Sequence, residues 1–346
     1  MKTRNVKVAL EGFGELLGRE KGCLVVKNRK GESRRYPLLE RSISEIQIRT
    51  GNLVSSGAIA SISFWNIPCI FLTQYGNPIA ILKPLSDDDH VKTRICQYEA
   101  LTNGKGIEIA KQIVLAKIKG QNELLKYYGL KWHDSFRYSQ AVKSLNDNDV
   151  GRLRNRLMSM EGHFSEQYFR NIHGLFNQAF LPERLRRRTF LAYDGLDNIF
   201  NLGYRCLSFR IYIALIRAKL EPFLGYLHSV MRDLPSLVCD FEDLYRYLID
   251  DFLVGFCQTV KPSDFILQKE KYEGRKIGSR EYLNEKKNRE LVKSLDKYFE
   301  SKVEIPRIKR GKKQKLDTLI REEALLLAQY LRAERQSWNP RIVSLA

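Results

Sequence analysis

Residues 153–172 read LRNRLMSMEGHFSEQYFRNI, and within them Leu153, Leu157, Glu161, Phe164, Tyr168 and Ile172 recur at intervals of four, four, three, four and four. That is the stripe one face of a helix buries. Five of the six are apolar or aromatic; the sixth is a carboxylate. An unpaired buried carboxylate costs several kcal/mol or shifts its pKa, so the fold must give Glu161 an Arg, a Lys, a metal ion or a proton.

The same helical period continues on both sides of this stretch. It predicts helices over roughly 91–129, 135–145, 147–178, 197–220, 241–258, 285–300 and 317–335. Before Pro84 the texture is different: VKVAL, CLVV, EIQIR, ASISF, PCIFL and IAILK are short β-rich runs parted by turns such as Lys30-Gly31-Glu32 and Gly76-Asn77-Pro78. Residues 55–64 also fit a short helix leading into PCIFL. Pro84 and the polar patch from Ser86 to Asp89 mark the change. The expected architecture is a two-domain α+β protein: a small N-terminal β-strand domain over 1–84, sandwich-like, and a larger, nearly all-α domain over 85–346.

Charge narrows the function. Among 346 residues, 59 Lys and Arg against 40 Asp and Glu leave a net +19, which calls for a polyanion. No basic amphipathic helix with a clean apolar face is present, so nucleic acid is favoured over membrane. Residues 261–315 hold 18 Lys and Arg against 9 Asp and Glu, about half the excess. Within them, IPRIKRGKKQK (305–315) is too charged and broken to pack, and Lys309, Arg310, Lys312 and Lys313 are candidate phosphate contacts. Arg184, Arg186, Arg187 and Arg188 form a second basic cluster. Either run serves equally as a solvated surface. No apolar run approaches the ~20 residues of a spanning helix. The start MKTRNVKVALEGF lacks a signal-peptide block, so a cytoplasmic location is expected. Six single cysteines without a CxxC pair read as core residues. Walker loops, GxSxG elbows and dinucleotide fingerprints are absent from the sequence.

Three further residues can complete a divalent-metal site with Glu161. His228 follows the apolar run FLGYL; Asp240 and Asp243 lie at the predicted start of a helix. Each has an ordinary alternative: a neutral histidine bonded to backbone, or an N-cap and first-turn acid. Taken together, carboxylates and one imidazole suit Mg²⁺ or Mn²⁺, the imidazole tilting preference toward Mn²⁺. His163, His173, His90 and His133 read as surface or structural. On residues alone this indicates metal-dependent phosphoryl transfer on nucleic acid.

Five segments, in this order, resemble a known family: MEGHFSEQYF around Glu161, LRRRTFLAYDGLDNIFNLGYRCL (185–207), KLEPFLGYLHS ending just after His228, LPSLVCDFEDLYRYLIDDF (234–252), and IREEALLLAQYLRAERQSWNP (320–340). With GNLVSSGAIASISFWNIPCIFLTQYGNPIAILKP (51–84), the likeness covers nearly the whole chain. The family is that of the CRISPR-associated spacer-acquisition integrases and endonucleases. The resemblance implies a β-rich dimerisation domain, an α-helical catalytic domain, and a Mn²⁺ or Mg²⁺ ion held by Glu161, His228 and Asp243, with Asp240 as a nearby auxiliary acid. Many relatives carry Glu at the place of Asp243 and Ala at that of Ser165. The implied activity is insertion of spacer DNA into a CRISPR repeat array by 3′-hydroxyl attack on a phosphodiester, with DNA cleavage as the hydrolytic counterpart. Implied partners are DNA (spacer precursor and repeat), a second copy of the chain, and a small adaptation subunit. The alternatives are a non-catalytic nucleic-acid-binding scaffold, in which Glu161 pairs with a buried Arg, and a metal-dependent ribonuclease.

Overall fold

The computed structural model describes residues 6–39, 43–74, 78–82, 89–130, 135–146, 150–177, 194–228, 234–272, 275–304 and 313–345. The chain divides into two compact units, Met1–Asp89 and His90–Ala346. The fold class is as expected: strands first, then a mainly helical part.

The first unit contains β1 (Val6–Leu10), β2 (Leu16–Glu20), β3 (Cys23–Lys27), β4 (Ser33–Pro37), β5 (Ile43–Arg49), β6 (Leu53–Val54), α1 (Ser56–Phe64), β7 (Cys69–Leu72) and β8 (Pro78–Leu82). One four-stranded sheet runs β1-β5-β7-β8, the first three strands parallel and β8 antiparallel to β7. The other runs β4-β3-β2-β6, an antiparallel meander with β6 added parallel to β2. Val8, Leu10, Ile46, Ile48 and Cys69 from the first sheet share a core with Leu17, Leu24 and Val26 from the second. ASISF is helical: Ser55 accepts from Ala58 N as N-cap, and Ala58, Ser61 and Ile62 are buried at helical spacing.

The second unit is built on α2 (Asp89–Glu99), α3 (Lys105–Tyr127), α4 (Ser135–Ser144), α5 (Val150–His173), α6 (Gly195–Arg217), α7 (Ser236–Glu242), α8 (Arg246–Cys257), α9 (Glu285–Phe299) and α10 (Leu316–Leu331). The expected helix over 91–129 is a pair, and the one over 241–258 starts late, at Arg246, after a separate short helix, α7. Gly104, at φ +82°, separates α2 from α3, and a break at Asp243–Tyr245 separates α7 from α8. The region also contains strands, in the stretches between the expected helices. β9 (Phe265–Tyr272) and β10 (Arg275–Leu283) form an antiparallel hairpin, and β11 (Lys302–Glu304) pairs with β12 (Lys313–Lys315).

The stripe on α5 packs inward, with Leu153, Leu157, Phe164, Tyr168 and Ile172 at most 1% exposed. Such side chains contribute about 1.5–3 kcal/mol each, and they press α5 against α3 and α4. α6 is long and apolar enough to cross a membrane by composition, contrary to expectation, but more than half of its apolar window is buried. It packs against α7, α8, α9, α10 and β10, and its buried polar residues Asp197 and Arg210 also mark it as a core helix.

Gly120 of α3 lets Tyr247 of α8 lie against the helix backbone: a Cβ there would meet the ring at 2.5 Å. The ring cannot yield, because it is buried and its hydroxyl donates to Val343 O at 2.8 Å. Gly162 of α5 has open space at the same position. Gly120→Ala is therefore expected to destabilise by about 1–3 kcal/mol, and Gly162→Ala to stabilise by roughly 0.5–1 kcal/mol; denaturant melts of both variants check the pair, and equal effects would contradict this packing.

Candidate active site

Glu161 obtains its cation from α3. Lys117 stands in the apolar face formed by Ile109, Ile113, Val114 and Leu124, and its side chain is only 6% exposed. Its ammonium donates to Glu161 Oε1 and lies 2.8 Å from Asp243 Oδ1. Glu161 is 15% exposed and Asp243 fully buried. One lysine thus draws together an acid from the middle of α5 and an acid at the C-terminus of α7. Burial alone would push the Lys117 pKa down, but Asp243 and Glu161 overcome it and hold the ammonium above its ordinary value. Burial likewise pushes the Asp243 carboxyl up, and Lys117 and Arg246 hold it below its usual range.

Further groups tie these acids to α5, α6 and α8. Ser165, one turn after Glu161, donates to the same oxygen at 2.8 Å. Arg246, the first residue of α8, donates to Asp243 Oδ1 at 3.1 Å and through Nε to Glu242 Oε2 at 3.2 Å. Its guanidinium lies 5.1 Å from the centre of the Tyr204 ring, and Ser208 donates to the other oxygen of Glu242. One atom is left over: Asp243 Oδ2 is buried with no hydrogen-bond partner.

His228 reaches the site on an irregular segment after α6, whose end is marked by Lys219 at φ +66°. This segment is held at nearly every residue. Gln97 donates to Glu221 O and Leu224 O at 3.0 and 3.1 Å and accepts from Glu221 N at 2.8 Å. Arg154 donates to Tyr226 O at 2.9 Å, and Ser236 Oγ accepts from Gly225 N at 2.9 Å. At Gly225 a Cβ would come within 2.8 Å of the Ser236 backbone.

Asp240 completes the hold. It is not a helix cap, because α7 begins four residues earlier, at Ser236. Its fully buried carboxylate accepts from the backbone N–H of Tyr226, Leu227 and His228 at 2.6, 3.1 and 2.8 Å, and contacts His228 Nδ1 at 2.8 Å. With Nδ1 donating to this acid, the lone pair of the neutral ring is on Nε2. Burial lowers the His228 pKa and the Asp240 hydrogen bond raises it, with a net upward shift.

Glu161 and Asp243 therefore converge, while His228 lies within electrostatic reach of Asp243 and Lys117 and directly touches Asp240. Among the described residues no three His, Cys, Asp or Glu side chains are gathered closely enough to grip an ion; an ammonium stands between the acids instead. The donor set still fits a hard divalent cation. It offers two carboxylates, one with an orphaned buried oxygen, and an imidazole whose far nitrogen is fixed by an acid, as histidine ligands commonly are.

Arg184, Arg186, Arg187, Arg188, Lys309, Arg310 and Lys312 lie outside the described residues, and Lys313 is exposed in β12 opposite Glu304. His163 is exposed and His173 buried. The six cysteines are free, each buried or half-buried. Lys117, Ser165 and Arg246 also belong to the site, beyond the candidates that the sequence offers. The first carried the same signal as Glu161, a charge inside an apolar stripe.

The family described as CRISPR associated protein Cas1 matches residues 8–297. A curated relative, CRISPR-associated endonuclease Cas1 of Korarchaeum cryptofilum, is 27% identical over 273 residues, covering 74% of this chain and 79% of its own. Among solved structures, a casposase bound to its integration product superposes with a TM-score of 0.69 at 18% identity, covering 96% of this chain and 97% of that one. A chain of a Cas6-RT-Cas1–Cas2 complex gives 0.71 at 17%, covering 100% of this chain and 37% of the other. At such identities these two likenesses bear on the fold, which they share from end to end of this sequence. The match over residues 8–297 takes in the whole charged cluster from Lys117 to Arg246, and the chain belongs to the Cas1 family of CRISPR-associated proteins.

Proposed function

We propose that this chain is a metal-dependent DNA endonuclease and strand-transfer integrase of CRISPR adaptation, with Glu161, His228 and Asp243 holding one Mg²⁺ or Mn²⁺ ion. Family membership supports the class of chemistry: the curated relative is named an endonuclease, and the casposase was captured on an integration product. The observation that carries the site assignment is the sharing of one buried cation by acids from two helices, one of which keeps an oxygen without a partner.

In strand transfer, a DNA 3′-hydroxyl gives up its proton and forms a P–O bond to a repeat phosphate. The P–O bond to the displaced 3′-oxygen breaks, and that oxygen takes up a proton. Water replaces the hydroxyl in cleavage. A bound ion would polarise the phosphate and assist deprotonation of the attacking group. Glu161 and Asp243 supply hard oxygen donors, His228 supplies Nε2, and Asp240 fixes the ring that carries it. The basic residues of 184–188 and 309–313 hold the DNA backbone without reading its sequence. The relative solved with Cas2 supports a small partner subunit. Homodimerisation through residues 1–84 and a cytoplasmic location belong to the same proposal.

The second reading is a non-catalytic scaffold, and Lys117 favours it, because its ammonium pairs with both acids without any ion. A ribonuclease using the same site differs in substrate alone, and parallel cleavage of DNA and RNA decides between them.

Glu161→Ala and His228→Ala are expected to lower metal-dependent cleavage and strand transfer by at least about 10²-fold while DNA binding persists; full activity in either purified variant contradicts the assignment. Mn²⁺ at about 100 times its Kd should stabilise the protein by ~2.7 kcal/mol relative to EDTA, whereas the scaffold reading predicts identical melts. Charge reversal at Arg184, Arg186, Arg187 and Arg188, or at Lys309, Arg310, Lys312 and Lys313, should weaken binding to unrelated DNA sequences alike and flatten its salt dependence. An unchanged salt slope would make those runs mere solvated surface.

A further inference from the structure

We infer that Lys117 is a tethered counter-cation, whose ammonium occupies the place between Glu161 and Asp243 that a divalent ion takes, so that ion binding and the Lys117 contact exclude one another. The inference rests on the metal site proposed above and adds a competitor to it.

Three observations carry it. The ammonium touches one oxygen of each acid and is almost completely enclosed, so it is not a surface lysine that happens to lie near. The other acid–base pair is separately arranged: Arg246 bonds Glu242 as well as Asp243, so it balances a charge of its own. Glu161 and Asp243 with Lys117 therefore sum to minus one. A divalent ion in place of the ammonium brings the sum to zero, and an ion added beside it leaves plus one in a buried site, which is disfavoured. Both acids also stay positioned when the ammonium leaves, Glu161 through Ser165 and Asp243 through Arg246. A lysine suits the exchange, since its charge sits at the end of a flexible stem rather than on a rigid fork.

The test measures Mn²⁺ alone, by electron paramagnetic resonance of the free ion and by thermal shift, on the full chain and on Lys117→Gln and Lys117→Arg. Lys117→Gln should bind Mn²⁺ at least about tenfold more tightly than the unaltered protein, and Lys117→Arg at least about tenfold more weakly. If Lys117→Gln does not fold without metal, circular dichroism should show Mn²⁺ restoring it. Equal or weaker binding by Lys117→Gln, or failure of Mn²⁺ to rescue its folding, overturns the inference while leaving the metal site intact so long as the unaltered protein binds. No Mn²⁺ bound by the unaltered protein or by Lys117→Gln defeats both the inference and the site on which it rests.

Discussion

A single ammonium inside the helical unit fixes the relative positions of three helices. Lys117 comes from α3, Glu161 from α5 and Asp243 from the end of α7, and none of the three could be buried alone. Removing one partner from such a cluster typically costs about 3–5 kcal/mol, although a well-packed apolar trio could be as stable. The charges therefore do more to specify registry than to raise stability. A shift of α5 by one residue would turn Glu161 away from Lys117 and bring polar side chains elsewhere on the helix, Arg156, Gln167 and Asn171 in one direction or Arg154 and Ser165 in the other, onto the buried face. Through Arg246, Glu242 and Ser208 the same constraint reaches α8 and α6.

Asp240 exerts a second constraint of a different kind. Its carboxylate serves three consecutive backbone N–H groups and the imidazole that follows them, so an irregular segment becomes as well satisfied as a helix turn. Gln97, Arg154 and Ser236 complete that support from α2, α5 and α7. The outcome is one imidazole presented in a defined orientation beside the paired acids, with its free nitrogen available. Phosphoryl transfer demands such positioning more than it demands covalent help from the protein.

Much of this was legible because burial of charge is costly in any fold. A carboxylate in the stripe from Leu153 to Ile172 announced a buried partner before its identity was known. Lys117 among Ile113, Val114 and Leu124 carries the same mark on α3, and pairing the two stripes would have found the bridge. The role of Asp240 was hidden by a boundary: with α7 beginning at Ser236, an apparent cap becomes a mid-helix residue free to serve a distant loop. β2 and β4 (LLGRE and SRRYP) and the hairpin strands FILQKEKY and RKIGSREYL escaped notice because their charges blur the two-residue alternation. Their pairing, not their side-chain pattern, makes them strands. ASISF turned helical because Ser55 caps it and its small residues pack at helical spacing.

On the proposal made above, the enclosed charges around Lys117 form an ion site and not merely a structural bridge. Crystals grown with Mn²⁺ and measured at its absorption edge address this directly. One anomalous peak is expected within coordination distance of Glu161, Asp243 and His228 Nε2, with the Lys117 ammonium withdrawn from the acids. A map with no peak there, and with Lys117 still seated between the two carboxylates at saturating Mn²⁺, would contradict that proposal.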